Sequence, residues 1–211
     1  MTPFDFKKSK GVIFYYIPFA CKFAPRYNEN TFMELTTFTN PETNINELGI
    51  HEGMTVVDLG AGSGAYTAIL GERVGEKGHV IAVEVQKEFL ANIKNLANSR
   101  GLHNIEVIWG DIEKFGGTKI KDDSVDAVVV SNVLFQAEEK QELLREAKRI
   151  LKGGGKILII DWKDSFNNLG PTKDAVVPLA IARGMCERQG FVVKKDFDAG
   201  EHHYGLVAYK A

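Results

Sequence analysis

The stretch from Thr55 to Thr67, TVVDLGAGSGAYT, most constrains how this chain folds. Its first residues are apolar and β-branched, which is typical of a buried strand, and its last residues resume a helical pattern. Between them, Gly60, Gly62 and Gly64 permit a tight turn and a close approach of the backbone to a ligand. The strand, the glycine turn and the helix start together predict the nucleotide-binding corner of a doubly wound α/β sheet.

The acidic residue two positions before the first glycine bears on which nucleotide is bound. The spacing Gly60-x-Gly62-x-x-Ala65 also satisfies the dinucleotide fingerprint, so NAD is an alternative ligand. A carboxylate at Asp58 would repel the pyrophosphate of NAD, but it would attract the ammonium and sulfonium groups of S-adenosylmethionine. Asp58 therefore favours a cationic cofactor. The alternative is that Asp58 only holds the loop in place by hydrogen bonds.

Composition limits the domain count and the class of partner. The 211 residues are 44% hydrophobic, which suits one domain over residues 46–211 and an aromatic and basic appendage over residues 1–45. The appendage is a lid, a packing segment, or, through residues 1–30, a contact for a membrane or partner protein. A net charge of −2 gives no strong nucleic-acid signature. Cys21 and Cys186 lack metal-ligand spacing, so we expect reduced thiols, no metal and a cytoplasmic protein.

The rest of the chain alternates between strand and helix patterns. Further strands are predicted at residues 79–85, 105–109, 125–130 and 156–162, and helices at 87–99, 137–151 and 177–189. The tail predicts a hairpin of residues 191–198 and 204–210 around an adjustable loop. The expected fold is α/β: a doubly wound, Rossmann-like, mostly parallel seven-stranded sheet that closes with a C-terminal antiparallel hairpin.

Four motifs in order, VVDLGAGSG, AVEV, GDIEKF and LKGGGKILIIDW, make residues 45–211 resemble the class I S-adenosylmethionine-dependent methyltransferases. The ubiquinone- and menaquinone-type small-molecule subgroup is the most similar. This resemblance implies S-adenosylmethionine as cofactor. It also implies that the methyl group is transferred to a small-molecule acceptor by in-line displacement, without a metal. The alternatives are methylation of RNA or protein, and a non-catalytic or NAD-dependent nucleotide-binding protein.

The resemblance also implies roles for individual residues at the carboxyl ends of the strands. The methionine portion would contact Asp58 through its ammonium group, the backbone of Gly60, Ala61, Gly62 and Gly64, and Ser131 or Asn132 beneath the methyl group. Glu84, which also has the spacing of a ribose-binding acid, would hold the ribose hydroxyls. The adenine would contact Val85, Asp111 and the backbone N–H of Ile112.

The acceptor side departs from the family pattern. Many relatives carry a histidine a few residues after the fourth strand, where this chain has Phe135 and Gln136. A hydroxyl or protonated amine acceptor would need a base, and the candidates are Asp161, His202 and His203. The competing interpretations are a capping role for Asp161 and solvated loop positions for the two histidines.

Overall fold

The computed structural model describes residues 39–166 and 170–211. In these ranges the strands are β1 (Thr55–Leu59), β2 (His79–Glu84), β3 (Ile105–Trp109), β4 (Val125–Ser131), β5 (Leu151–Trp162), β6 (Phe191–Gly200) and β7 (His203–Lys210). The helices are α1 (Pro41–Asn46), α2 (Ala65–Val74), α3 (Lys87–Ser99), α4 (Lys140–Ile150) and α5 (Leu179–Arg188). Residues 1–38, which include most of the predicted appendage and its proposed membrane or partner contact, lie outside the described residues.

All seven strands form one sheet in the order β3-β2-β1-β4-β5-β7-β6. Strands β1 to β5 pair in parallel, and β7 lies antiparallel between β5 and β6. The predicted fold class is confirmed. Strand β1 lies between β2 and β4, so the strand order reverses there, and open α/β sheets bind ligands outside the carboxyl ends of the strands at such a point.

Helices cover both faces of the sheet, which explains the continuous apolar run of β4. Val128, Val129 and Val130 are fully buried, as expected for a central parallel strand. One face packs against α4 and α5, whose buried residues include Leu143, Leu144, Ala147, Ile150 and Cys186. The other face packs against α1 and α2 through Ile45, Tyr66, Ile69 and Leu70.

Several predicted boundaries differ from the structure. Helix α4 begins at Lys140 instead of residue 137, and β5 begins at Leu151 instead of residue 156. The longer strand arises because Leu151 adopts an extended conformation and pairs with Val125. Strand β7 begins at His203, so Glu201 and His202 alone connect the hairpin and His203 belongs to the sheet.

A buried carboxylate on α4 fastens the connection between β3 and β4. Glu146 is fully buried, and its oxygens accept hydrogen bonds from the Gly116 backbone N–H at 2.7 Å and the Thr118 hydroxyl at 2.6 Å. The Arg149 guanidinium donates to both oxygens, at 2.8 and 2.7 Å. Burial raises the pKa of Glu146, but these donors outweigh it and lower the pKa to about 2. The carboxylate therefore contributes to stability only while it is ionised.

None of the helices in the described parts of the chain is both long enough and apolar enough to cross a bilayer.

Candidate functional site

The turn after β1 uses backbone conformations that favour glycine. Gly60, Gly62 and Gly64 have φ values of +77°, +52° and +83°, all in the left-handed region. The Gly60 and Ala61 backbone N–H groups donate to the carbonyl oxygen of Val83 in β2, at 2.9 and 3.1 Å. The turn is therefore fixed against the neighbouring strand before α2 begins.

Two other segments approach Gly60 so closely that they leave little room for a side chain at this position. A β carbon added there would lie 2.7 Å from Cγ2 of Val133 and 3.3 Å from Cδ1 of Ile112. Ile112 follows β3 and Val133 follows β4, so three strand-end segments of the predicted site converge on this glycine. The structure brings together the turn, the predicted adenine segment and the predicted methyl segment.

Asp58 is a buried acid at the end of β1. It is 2% exposed, and the Thr67 hydroxyl of α2 donates to its Oδ2 at 2.6 Å. Burial raises its pKa to about 6; the Thr67 hydrogen bond opposes this rise and the nearby charge of Glu84 adds to it. A ligand cation beside Asp58 would offset the cost of its buried charge. The hydrogen bond to Thr67 shows that the carboxylate also joins β1 to α2.

Glu84, at the end of β2, anchors the glycine turn. It is 6% exposed, and its Oε2 accepts a hydrogen bond from the Gly62 N–H at 2.9 Å. Its Oε1 accepts from the N–H groups of Val85 and Gln86 at 2.8 and 2.9 Å. A carboxylate offers about four acceptor positions, and three are used by the backbone. Sequence reasoning predicted a ribose-binding acid here and missed this contact with the turn.

The predicted adenine residues lie beyond β2 and β3. Val85 is 52% exposed, and Asp111 Oδ1 accepts a hydrogen bond from the Glu113 N–H at 3.0 Å, which fixes the turn after β3. Trp109 was not singled out from the sequence, although its indole N–H donates to the Val85 carbonyl oxygen at 3.0 Å. Trp109 is 51% exposed. The exposed Trp109 indole therefore lies against the Val85 backbone at the carboxyl ends of β2 and β3.

On the acceptor side, Asn132 organises the end of β4. Its backbone has φ +57°, and its N–H donates to the Ile160 carbonyl oxygen at 2.8 Å. Its side-chain Oδ1 lies 2.9 Å from Nε2 of His203, and its carbonyl oxygen accepts from the Gln136 side chain at 2.8 Å. His203 is 1% exposed, and its ring centroid lies 4.2 Å from that of Trp162. The structure thus joins two predicted site residues, Asn132 and His203.

A polar cluster that the sequence did not predict lies between α1 and α2. The Asn44 amide donates to the Thr39 hydroxyl at 2.7 Å and to the Tyr66 hydroxyl at 3.0 Å. Burial raises the pKa of Tyr66, and Asn44, Thr39 and Ser131 oppose that rise. The cluster connects the first described residues to the start of α2 and to the predicted methyl segment at Ser131.

Asp161 is held by the backbone. It is fully buried; its Oδ1 accepts from the Trp162 N–H at 2.8 Å and its Oδ2 from the Phe135 N–H at 3.3 Å. Burial raises its pKa to about 6, and these backbone donors oppose the rise. The carboxylate therefore connects β5 to the segment that follows β4.

His202 occupies a different environment from His203. It is 9% exposed, and its Nδ1 lies 2.7 Å from Oδ1 of Asp164 in the segment after β5. Its ring stacks on Phe166 with centroids 4.2 Å apart, and its carbonyl oxygen accepts from the Lys163 N–H at 2.9 Å. The expected solvated loop is therefore wrong for both histidines: His202 is held in an acid and aromatic pocket, and His203 is buried in the sheet.

Within residues 39–166 and 170–211, no three His, Cys, Asp or Glu side chains are arranged to hold a metal ion.

Comparison with known proteins identifies the family. A family model described as a methyltransferase domain matches residues 50–194. Human arsenite methyltransferase is 35% identical over 116 residues, which cover 52% of this chain and 31% of that protein. The ubiquinone/menaquinone biosynthesis C-methyltransferase UbiE of Vibrio vulnificus is 33% identical over 129 residues, which cover 60% of this chain and 48% of that protein. The chain thus matches between about a third and a half of the length of these relatives.

A solved structure extends the similarity over most of the fold. The crystal structure of a SAM-dependent methyltransferase from Aquifex aeolicus aligns with a TM-score of 0.76 at 29% sequence identity. The alignment covers 88% of this chain and all of that one. The chain therefore belongs to the methyltransferase domain family, as a class I methyltransferase whose cofactor is S-adenosylmethionine.

Proposed function

We propose that this protein transfers the methyl group of S-adenosylmethionine to a small-molecule acceptor bound at the carboxyl edge of the sheet. The observation that carries the proposal is the pair of buried acids, Asp58 and Glu84, which flank a glycine turn at the strand-order reversal. The Asp58 carboxylate suits a cationic ligand and disfavours a pyrophosphate, whereas Glu84 suits the ribose of either kind of nucleotide. The family match is consistent with this choice of ligand.

The residues present fit the cofactor. Asp58 would stabilise its ammonium group, since a cation offsets the burial that raises the Asp58 pKa to about 6. Glu84 retains about one acceptor position for a ribose hydroxyl after its three backbone contacts. The turn backbone would surround the methionine portion together with Ser131 and Asn132. The adenine would lie beside the predicted residues Val85, Asp111 and Ile112, and beside Trp109, which the sequence did not single out.

When bound, S-adenosylmethionine would supply a methyl group attached to a positively charged sulfur. A nucleophile in line with the carbon–sulfur bond takes the methyl group, and the sulfur leaves as a neutral thioether. The main contribution of the chain is to orient the acceptor and the methyl group. Such orientation lowers the activation free energy by on the order of 7–11 kcal/mol in well-aligned intramolecular reactions. Asn132 fixes the edge through its contacts with Ile160 and His203. We assign Asp161 to positioning the segment after β4, because its carboxylate is fully buried and both oxygens accept backbone N–H groups.

The cysteine within the described residues favours an acceptor other than arsenite, although some relatives are named arsenite methyltransferases. Soft centres are bound by cysteine thiolates. Cys186 is buried on α5 beneath the sheet, and burial raises its pKa to about 12, which keeps it protonated. Cys186 is the one cysteine within residues 39–166 and 170–211, and Cys21 lies outside the described residues. The proposed acceptor is an organic molecule.

Two further assignments accompany this function. A lid role for residues 1–45 is supported by the contact of Thr39 with Asn44, because Asn44 also contacts Tyr66, whose hydroxyl interacts with Ser131 of the predicted methyl segment. A cytoplasmic location is supported by Cys186, which is an unpaired thiol.

The test is incubation with methyl-labelled S-adenosylmethionine and a fractionated cell extract. We expect label in the small-metabolite fraction with the wild-type protein and much less with Asp58→Asn. Asp126→Asn is the matched control, because Asp126 pairs with Lys152 near the opposite ends of the strands. Label found only in RNA or protein would contradict the proposed acceptor class.

A further inference from the structure

The segment that leads from β3 to β4 leaves a groove open on one face of the sheet. Residues 110–124, all of them described, make this connection without a helix. Ile81 of β2 and Ile108 of β3 line the groove and are only half-buried, although both pack against the core. The groove has a volume of about 440 Å³, and small-molecule sites typically measure roughly 300–1,000 Å³. It is therefore large enough to hold a small molecule.

Apolar side chains from the sheet and from the connection line this groove. Ile120 and Val125 lie there together with Ile81 and Ile108, and both are buried. A ligand with an apolar body would cover the parts of Ile81 and Ile108 that still face water. Removal of apolar surface from water favours binding.

Two lysines in the lining have no acidic partner. Lys119 and Lys121 line the groove, and neither forms an ion pair with another described residue. The acids that follow them in the chain are engaged: Asp122 pairs with Arg149 at 2.5 Å, and Asp123 pairs with a lysine of β7 at 2.6 Å. Two ammonium groups beside an apolar surface therefore remain to be neutralised.

One acid also lines the groove, and it sets the charge that a ligand should carry. Glu106 Oε2 lies 3.1 Å from Nε2 of His79 at the start of β2. Two lysines and one glutamate leave the lining with a net charge of about +1, which suits a monoanion better than a neutral molecule or a cation. Lys119 also has φ +60°, and such left-handed backbone conformations in residues other than glycine occur often at functional sites.

We propose that this groove is a binding site for an amphiphilic carboxylic acid, separate from the cofactor site and independent of the proposed function. The apolar chain of the acid packs on Ile81, Ile108 and Ile120. Its carboxylate accepts charge-assisted hydrogen bonds from the ammonium groups of Lys119 and Lys121.

Trp109 provides an optical signal for occupancy of the groove. It lines the groove and is 51% exposed, whereas Trp162, the other of the two tryptophans, is 2% exposed. A ligand in the groove should therefore change the fluorescence of Trp109 and leave that of Trp162 unchanged.

The probes are octanoate, octanol and octylamine, which share one apolar chain and differ in the head group. Titrations by calorimetry and tryptophan fluorescence use the full chain without S-adenosylmethionine. We expect octanoate to bind more tightly than octanol, and octylamine to bind most weakly. Octanoate should also bind more tightly than hexanoate, by up to about 4-fold per methylene.

Lys119→Gln and Lys121→Gln test the head-group contact. Each should weaken octanoate binding by about 3- to 10-fold and leave octanol binding unchanged, because only the carboxylate loses a partner. Lys94→Gln is the matched control, since Lys94 is exposed on α3 and does not line the groove; it should change neither affinity. Thermal unfolding checks that all three variants fold.

Three outcomes would overturn the proposal. The first is equal affinity for octanoate and octanol, or no binding of either. The second is an equal loss of octanoate affinity in Lys94→Gln. The third is a dimer in size-exclusion chromatography that Lys119→Glu dissociates, because the groove would then belong to a second copy of the chain. None of these outcomes affects binding of S-adenosylmethionine or labelling of small metabolites, which test the proposed function.

Discussion

Substitution of Gly60 by alanine tests the packing on which the cofactor site depends. The left-handed φ of +77° costs a β-carbon residue about 1–2 kcal/mol. The new methyl group would also lie 2.7 Å from Cγ2 of Val133, and overpacking of this kind costs about 1–3 kcal/mol. We therefore expect Gly60→Ala to lower the free energy of unfolding by about 2–5 kcal/mol and to weaken S-adenosylmethionine binding.

Gly53→Ala separates the two costs. Gly53 has φ +87°, but no heavy atom of the described residues lies within 4 Å of a β carbon built there. Both substitutions carry the same unfolded-state entropy gain, so their difference isolates the clash at about 1–3 kcal/mol. For a domain of this size, that difference is roughly 2–12 °C in Tm, at about 2–4 °C per kcal/mol. Urea unfolding and calorimetry measure both effects. Equal stability of the two variants with unchanged cofactor affinity in Gly60→Ala would refute the reasoning.

Four further predictions concern three buried carboxylates. Asp58 has a pKa raised to about 6, so affinity for S-adenosylmethionine should fall as pH drops through about 6 and the carboxylate loses its charge. Asp58→Asn should weaken S-adenosylmethionine and S-adenosylhomocysteine equally, by about 10- to 100-fold in calorimetry, because both carry the ammonium group. Glu84→Gln should lower both the free energy of unfolding, by about 1–3 kcal/mol, and cofactor affinity, because an amide N–H would face a backbone N–H; exposed Glu106→Gln should change neither. Glu146→Ala should cost about 3–5 kcal/mol at neutral pH by urea unfolding. Because the Glu146 pKa is lowered from 4.5 to about 2, this difference should shrink as pH falls through that interval; a pH-independent difference would contradict the ion-pair account.

The buried parallel strands and the position of the glycine turn follow from short-range patterns. Apolar, β-branched runs such as Val128 to Val130 predict buried parallel strands, because each residue must be apolar when both faces are covered. Gly60, Gly62 and Gly64 predict a turn because only glycine adopts left-handed backbone conformations at little cost. Both features depend on neighbours in the chain, and the structure confirms them.

The side-chain partners within the site depend on tertiary packing and could not be predicted from local patterns. Glu84 and Gly62 are 22 residues apart, and Asn44 and Tyr66 are also 22 apart. Their hydrogen bonds exist only once β1, β2 and α1 have packed. No periodicity in the sequence encodes them.

The positions of the two histidines depend on irregular pairing in the hairpin. Register shifts occur between Val193 and Lys195 and between Asp198 and Gly200, so β6 extends further than its apolar pattern indicates. The connection shortens to two residues and draws His203 into the sheet. Bulges of this kind re-aim side chains without a clear sequence signal.

Calorimetric titration of the purified protein with S-adenosylmethionine, S-adenosylhomocysteine and NAD tests the central claim most directly. We predict saturable binding of both adenosyl ligands, loss of affinity for both in Asp58→Asn, and no binding of NAD. Tight binding of NAD without binding of S-adenosylmethionine would contradict the account.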